Sequence, residues 1–380
     1  MKVLPKTKIY FLSTLNTNIG DEFIRDGLIS VISSLCEPDE WNWKAFNKHQ
    51  PWTFYPKAHP AQLARVVDTC FHRGWHKALN ILSSLPGNQF VNADLIIQSG
   101  TPVIWKGASN SEWATPFWRN LVFKNKNRIP VLNIGGGSCY AWSNPPKALE
   151  AADREFARKM VENCVFTTCR EPLAAKLLSE ASGKEITVID CPGFLAGMSH
   201  ETPKPTDGRI LINAMPIGGH FDYMKQVNPD SWRKILDKQI LELKKDFTIE
   251  FVCHDAKEAS FASSYWPSHT LHQPKTPSEY FQICVGAHAA IVNRLHAAVG
   301  LSGLGIPCIA IGTDTRLLMT QNIGIPSLFL PDITHDKLTS EIRELLVDRE
   351  NRSQLLLEKQ AQVFERYRLL LQPYLSSLFN

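Results

Sequence analysis

About three quarters of the way along the chain, the apolar run Ala289-Ala290-Ile291-Val292 passes directly into Asn293-Arg294-Leu295-His296 and then into Ala297-Ala298. The run reads as a buried strand, and the small residues after it suit a tightly packed helix. Burying an amide, a guanidinium and an imidazole together costs several kcal/mol unless each is hydrogen-bonded or faces a ligand. Arg294 keeps its charge at any physiological pH and offers a planar fork of donors to an anion. His296 exchanges a proton near neutrality. The segment is the leading candidate for chemistry, with Asn293 and Arg294 as substrate ligands and His296 as acid or base. A hydrogen-bonded structural cluster is the competing reading.

Other strand-to-helix turns offer partners. Asn18-Ile19-Gly20-Asp21 lies before the first long helical stretch. Gly20 permits a tight turn beside free helix N–H groups, and Asp21 is either an N-cap, an acid or base facing the cleft, or both. Gly135, Gly136 and Gly137 follow the strand 130–134 and would expose backbone N–H groups to a ligand. Neither a Walker A lysine nor a dinucleotide fingerprint accompanies them. Arg170 ends another strand, as an anion ligand or as the structural partner of Glu171 or another acid. His254 closes a strand of the second half, as a substrate contact or a structural polar residue, and Asp255 can cap the next helix. Arg316 follows the strand 308–311 and is a further anion ligand. His72 and His76 have helical spacing, but no Glu follows the first and Gly74 weakens the helix, so zinc is not expected there. There is no Gly-x-Ser-x-Gly elbow.

Composition sets bounds on these readings. The chain has 380 residues, 44% hydrophobic and 21% charged, which fits a globular protein with two domains. A net charge of +4 from 41 basic and 37 acidic side chains, with no long basic block, argues against nucleic acid as partner and is compatible with an anionic small molecule. The nine cysteines are scattered without a Cys-x-x-Cys pair, so they read as free thiols of a reducing, cytoplasmic compartment. The N-terminal stretch reads as a first strand, not a signal, and no run reaches the roughly 18 apolar residues of a membrane span.

Alternating short apolar runs and amphipathic stretches predict an α/β protein with parallel sheets. Strands are expected at 9–12, 94–97, 130–134, 165–168 and 186–189, with helices at 21–35 and 172–180. Residues 200–208, with two prolines and no periodicity, read as a linker between a first domain, 1–199, and a second, 209–340. There, strands are expected at 210–213, 249–253, 289–292, 308–311 and 327–330, and helices at 231–244 and 278–285. Residues 341–380 form a helical tail, broken near Pro373. The segment 41–92, rich in Trp, His and Pro, is less regular and reads as an insertion or a helical excursion of the first domain, whose aromatic rings either pack or line the acceptor side of a cleft. Two such domains enclose a cleft at the carboxyl ends of their strands.

The series Asn18-Ile19-Gly20-Asp21, Asp94-Leu95-Ile96-Ile97, Ile134-Gly135-Gly136-Gly137, Arg170-Glu171, Val188-Ile189-Asp190, Arg294-Leu295-His296 and Gly305-Ile306-Pro307 resembles the polysaccharide pyruvyl transferases. It departs from their pattern at Ser99-Gly100-Thr101, Ala174, Thr313 and Arg316. The resemblance implies two Rossmann-like domains in a GT-B-like arrangement. It implies transfer of pyruvate from phosphoenolpyruvate to a pair of sugar hydroxyls, without cofactor or metal. Arg170, Arg294 and Arg316 would then hold the donor's anionic groups, and His296 would carry protons, helped by Asp21 or His254. The acceptor would be a sugar or a lipid-linked oligosaccharide, the latter bringing the enzyme to the inner membrane surface. The tail, with Arg366, Arg368 and Leu369–Leu371, would either attach weakly there or pack back on the first domain. A GT-B glycosyltransferase using a nucleotide sugar and a non-catalytic sugar-binding protein are the alternatives.

Overall fold

The computed structural model describes residues 6–71, 75–100, 102–124, 129–200 and 208–379. The expected linker lies almost wholly outside the described residues, as do His72 and Thr101. The first sheet contains β1 (Thr7–Ser13), β2 (Trp41–Asn47), β3 (Leu95–Ser99), β4 (Pro102–Ile104), β5 (Val131–Ser138), β6 (Phe166–Cys169) and β7 (Thr187–Val188). The second contains β8 (Arg209–Asn213), β9 (Thr248–Val252), β10 (Thr270–His272), β11 (Ala289–Val292), β12 (Cys308–Gly312) and β13 (Ser327–Phe329). Every pairing is parallel. The orders are β2-β1-β3-β5-β6-β7, with β4 beside β5, and β10-β9-β8-β11-β12-β13. Each order reverses once, between β1 and β3 and between β8 and β11, and ligands of open α/β sheets bind at such reversals.

The N-terminal half carries helices α1 (Ile19–Ser33), α2 (Leu63–Phe71), α3 (Trp75–Leu82), α4 (Ala151–Glu162) and α5 (Pro172–Ser182). The C-terminal half carries α6 (Pro229–Leu243), α7 (Ala256–Tyr265), α8 (Pro277–Cys284), α9 (Leu295–Gly303), α10 (Leu317–Ile323), α11 (His335–Val347) and α12 (Arg349–Phe379). Phe23, Ile24, Leu28, Val31 and Ile32 recur on one face of α1, the spacing that buries a helical stripe. They join a core that also takes in Val292, Ala298, Leu301 and Tyr367, so one apolar cluster runs through both halves. Each half has a further cluster of its own.

Two sequence expectations need correction. Residues 41–92 are not wholly irregular: β2 pairs with β1 along its whole length, from Thr7 with Trp41 to Ser13 with Asn47. Trp41, Trp52 and Trp75 are buried in the core, not exposed to a cleft. The tail is not broken at Pro373, which lies inside α12; the interruption falls at Asp348, before α12 starts. Val363, Tyr367, Leu371 and Leu375, four residues apart, are buried against the protein and hold the helix by packing. Tyr367 donates its hydroxyl to the Asp190 carbonyl at 2.9 Å. Gln360 donates to Phe194 O at 2.8 Å and Gly303 O at 2.6 Å, tying the tail to both halves. No described helix is long and apolar enough to cross a membrane.

The contact of α1 with the 3-10 turn Pro192–Leu195 leaves no space for side chains. A Cβ on Gly27 would lie 1.8 Å from the Pro192 carbonyl oxygen. Gly27→Ala should therefore cost roughly 2–3 kcal/mol by overpacking, read as a lower urea midpoint. Gly183→Ala, in a left-handed cap with nothing within 4 Å of the added carbon, should cost only about 1 kcal/mol.

Candidate functional site

A cavity of about 320 Å³ opens between the carboxyl ends of the two sheets. His296 enters it from the first turn of α9, where the chain leaves β11. Its Nδ1 lies 2.9 Å from the Asp21 carboxylate on the first turn of α1. The two helices approach because residue 20 is glycine: a Cβ there would sit 2.8 Å from His296 Cβ and 3.0 Å from His254 Nδ1. Gly20 therefore makes room for histidines and does not line the cavity. Asn18, not Asp21, caps α1; its Oδ1 accepts from Gly20 N at 3.1 Å. The same oxygen meets His254 Nδ1 at 3.1 Å. His254 is buried against Phe23 and Tyr280, outside the cavity lining. Burial and the nearby Arg294 hold its pKa well below the ordinary value, so it stays a neutral clasp between the halves.

Arg170 ends β6 and is 1% exposed. Its Nη1 lies 2.9 Å from His296 Nε2. A guanidinium keeps its protons, so here it donates to a ring lone pair while Nδ1–H donates to Asp21. Arg170 Nε and Nη2 are buried with no hydrogen-bond partner among the described residues. The guanidinium fits because residue 137 is glycine: a Cβ would lie 2.5 Å from Arg170 Nε. Here the expectation for the glycine triplet fails. Gly135, Gly136 and Gly137 lie inside β5, fully buried, and do not line the cavity. Gly135, at φ +68°, donates its N–H to Thr168 Oγ1 at 3.0 Å. Glu171 is not the partner of Arg170; it caps α5 and accepts from Ser138 N at 2.9 Å.

The rest of the leading motif is largely committed to structure. Asn293 Oδ1 accepts from Met215 N at 3.0 Å, and its Nδ2 reaches Ile311 O at 3.4 Å, so the amide joins three strand ends. Arg294 points its Nε at Glu258 and its Nη2 at Asp255, the N-cap of α7. Its Nη1 is 3.4 Å from His220 Nδ1. Two carboxylates thus already neutralise the guanidinium expected to be free for an anion. Arg316 is paired likewise, with Asp314 at 2.8 and 2.6 Å.

Sequence reasoning missed Lys48. It follows β2, lines the cavity and is 3% exposed, its ammonium 4.5 Å from the Trp113 ring centroid. Burial lowers its pKa to about 8, against the pull of Asp21 and Glu112 and with the push of Arg170. Recognising Trp41–Asn47 as a strand would have placed Lys48 at a carboxyl end beside β1. His220 was also missed; burial and the cations Arg316 and Arg294 hold its pKa down to about 4. Among the described residues no cluster of three or more His, Cys, Asp or Glu side chains is arranged to hold a metal ion.

The model of the family described as polysaccharide pyruvyl transferase matches residues 18–315, the stretch that contains Asp21, Lys48, Arg170 and His296. No curated protein matches by sequence. Among solved structures, MnaA of S. aureus with UDP superimposes with a TM-score of 0.58 at 12% identity, over 97% of each chain. The UDP-GlcNAc 2-epimerase of Neisseria meningitidis bound to UDP-GlcNAc gives 0.53 at 10% identity, over 96% of this chain and 100% of that one. Sucrose-phosphate synthase of Thermosynechococcus elongatus gives 0.52 at 12% identity, over 98% and 99%. At these identities the shared property is the fold, two Rossmann-like sheets of the GT-B kind.

Burial lowers the affinity of His296 for its proton, and Arg170 acts in the same direction. The Asp21 carboxylate, with a contact to Cys191, outweighs both and raises the pKa above the ordinary 6.5. Burial works against the charge of Asp21, yet the hydrogen bond to His296, with Lys48 and Arg294 nearby, holds it below the usual carboxylate range. Asp21→Asn removes the only one of these effects that carries a full opposite charge. The His296 pKa, followed by NMR of the imidazole nitrogens, should fall below 6.5 in the variant.

Proposed function

Because the chain belongs to the polysaccharide pyruvyl transferase family, we propose that it moves pyruvate from phosphoenolpyruvate to two hydroxyls of one sugar, forming a ketal and releasing phosphate. The observation that carries this reading is the buried Arg170, with Nε and Nη2 unmatched and Nη1 on His296. A guanidinium left with spare donors in a cavity suits a carboxylate or phosphate. Lys48 adds a second positive charge on the same side. Arg294 and Arg316 line the cavity too, but their charge is offset by their own carboxylates.

The chemistry balances with these groups. Carbon 3 of the enol takes a proton, which leaves positive character at carbon 2. A sugar oxygen bonds to carbon 2, and its hydroxyl proton passes to a base. The carbon–oxygen bond to phosphate breaks, and the second hydroxyl oxygen takes the vacated position. Of the two hydroxyl protons released, one matches the proton gained by the new methyl group and the other leaves with phosphate. His296 is the proton carrier in this reading, oriented by Asp21 through Nδ1 so that Nε2 faces the cavity. Arg170 covers Nε2 at 2.9 Å, so drawing the guanidinium toward an incoming anion would free that nitrogen for proton transfer. Donor binding would thereby precede proton transfer.

The acceptor is a sugar of a cell-surface polysaccharide or its lipid-linked precursor, with the reaction on the cytoplasmic side and membrane association limited to that carrier. The relatives that bind UDP or UDP-GlcNAc define the competing donor. Calorimetry with phosphoenolpyruvate and with UDP-GlcNAc separates the two, and binding of UDP-GlcNAc alone would exclude pyruvyl transfer. Arg170→Ala should weaken phosphoenolpyruvate at least about tenfold. His296→Ala should keep donor affinity and lose roughly 10²- to 10⁴-fold in acceptor-dependent phosphate release. Near-normal turnover in a folded His296→Ala variant would remove His296 from the mechanism.

A further inference from the structure

The cavity has aromatic walls that donor binding does not use. Its cations are Arg170, Lys48, Arg294 and Arg316, the last two paired with carboxylates. Phe221 and Tyr223, from the loop after β8, line it together with Trp105 and Trp113 of the N-terminal half. Phe221 is 40% and Tyr223 46% exposed. Neither belongs to an apolar core cluster, so core packing does not account for them.

Their positions are nonetheless fixed. Thr313 Oγ1 donates to the Phe221 carbonyl at 2.5 Å. Tyr223 donates its hydroxyl across to the Cys139 carbonyl at 3.3 Å. The Asp222 carboxylate between them accepts from Gln226 N and Val227 N, both at 3.0 Å. The two rings lie 5.4 Å apart and are tilted by 30°. Trp105 and Trp113 form a second pair, with centroids 5.6 Å apart. The Arg316 guanidinium lies 5.2 Å from the Phe221 ring centroid and Lys48 lies 4.5 Å from that of Trp113, so among the described residues Tyr223 and Trp105 are the cavity rings without a cation over them, and such rings suit a ligand with one apolar face.

We infer that this aromatic mouth is the acceptor subsite and that it takes a pyranose ring, stacked through its C–H face on Tyr223 or Trp105. The inference rests on the pyruvyl-transfer reading for the word acceptor, but not for the site itself. A pyranose has an uncharged hydrocarbon face and a periphery of hydroxyls. The surroundings match that periphery: Thr14, Thr17, His49 and Thr313 line the same cavity. Stacked there, the sugar would direct its hydroxyls toward His296. A nucleobase also stacks on aromatic rings, and the test must separate it from a sugar.

Saturation-transfer NMR on the full chain provides that test. The probes are methyl β-D-galactopyranoside, methyl α-D-mannopyranoside and the methyl β-glycoside of N-acetylglucosamine, each with and without inorganic phosphate. At least one should receive saturation at its ring C–H protons. Tyr223→Ala or Trp105→Ala should weaken that binding roughly tenfold. Tyr223→Phe should retain it, and phosphoenolpyruvate affinity, measured separately by calorimetry, should stay unchanged in all three variants. The proposal is overturned if no glycoside is saturated. It is equally overturned if both alanine variants bind as wild type while circular dichroism shows them folded, or if UDP displaces the glycoside and loses its own binding in Tyr223→Ala. Glycoside binding that depends on Tyr223, in a protein that ignores phosphoenolpyruvate, would support the subsite and strike only at the donor reading.

Discussion

A buried line of charge, from the Asp21 carboxylate through the His296 imidazole to the Arg170 guanidinium, is the constraint on which the rest of the structure depends. Its three members come from α1, α9 and the end of β6, so the halves must meet closely for it to exist. Taking such groups out of water is costly unless each finds a partner. Much of the nearby sequence serves that need. Gly20 admits the two histidines, Gly137 admits the guanidinium, and Gly27 lets α1 settle on the Pro192 turn. The apolar cluster shared by both halves and the α12 helix laid across them hold the line in place. One part of the line is left unsatisfied. Two donors of Arg170 have no partner among the described residues, and each buried unmade hydrogen bond costs on the order of 1–3 kcal/mol. A ligand that supplies the acceptors would recover that cost.

The other cations in the cavity behave differently, and the contrast organises the site. Arg294 is held by Asp255 and Glu258, and Arg316 by Asp314. These clusters fix loops and set the shape of the wall, but their charge is largely cancelled where they stand. Lys48 sits over Trp113, and burial works against its charge. Of these cations, Arg170 is the one whose buried donors have no partner among the described residues. Two of the cations also lie over aromatic rings of the cavity, Lys48 over Trp113 and Arg316 over Phe221.

Much of the second sheet was legible because its strands are buried on both faces and appear as continuous apolar runs, such as Ala289–Val292 and Cys308–Ile311. The turns after them drew attention for the same reason: polar residues stand out where a buried strand ends. What those residues touch was not legible. Asn293 and Arg294 looked like ligands, yet their partners, Met215, Ile311, Asp255 and Glu258, lie from 18 to 78 positions away in the chain. The first sheet was harder to read. The sequence Trp41-Asn42-Trp43-Lys44-Ala45-Phe46-Asn47 is an edge strand whose central residues face solvent, so neither a continuous run nor a clean alternation marks it. Missing β2 meant missing Lys48. The glycine triplet invited a phosphate-loop reading, because glycines beyond a strand often approach a ligand. Here β5 continues through them, and the space they leave is filled by a neighbouring side chain.

The same scaffold carries proteins solved with UDP or UDP-GlcNAc at about a tenth of the residues in common, so the fold does not choose the donor. The choice has to be made at the strand-end turns, where the positive charge is either free or already spent on carboxylates. Pairing Arg294 and Arg316 internally while leaving Arg170 underbonded favours a small, strongly charged donor seated against His296 over an extended diphosphate spread along the wall. It also explains why the histidine is shielded before a ligand arrives. With Arg170 donating to Nε2, the imidazole is covered on that side, and in the proposed reaction its exchange with substrate would be tied to the movement of the group that would bind the donor. Proton transfer and anion recognition would in that reading be two consequences of a single hydrogen bond.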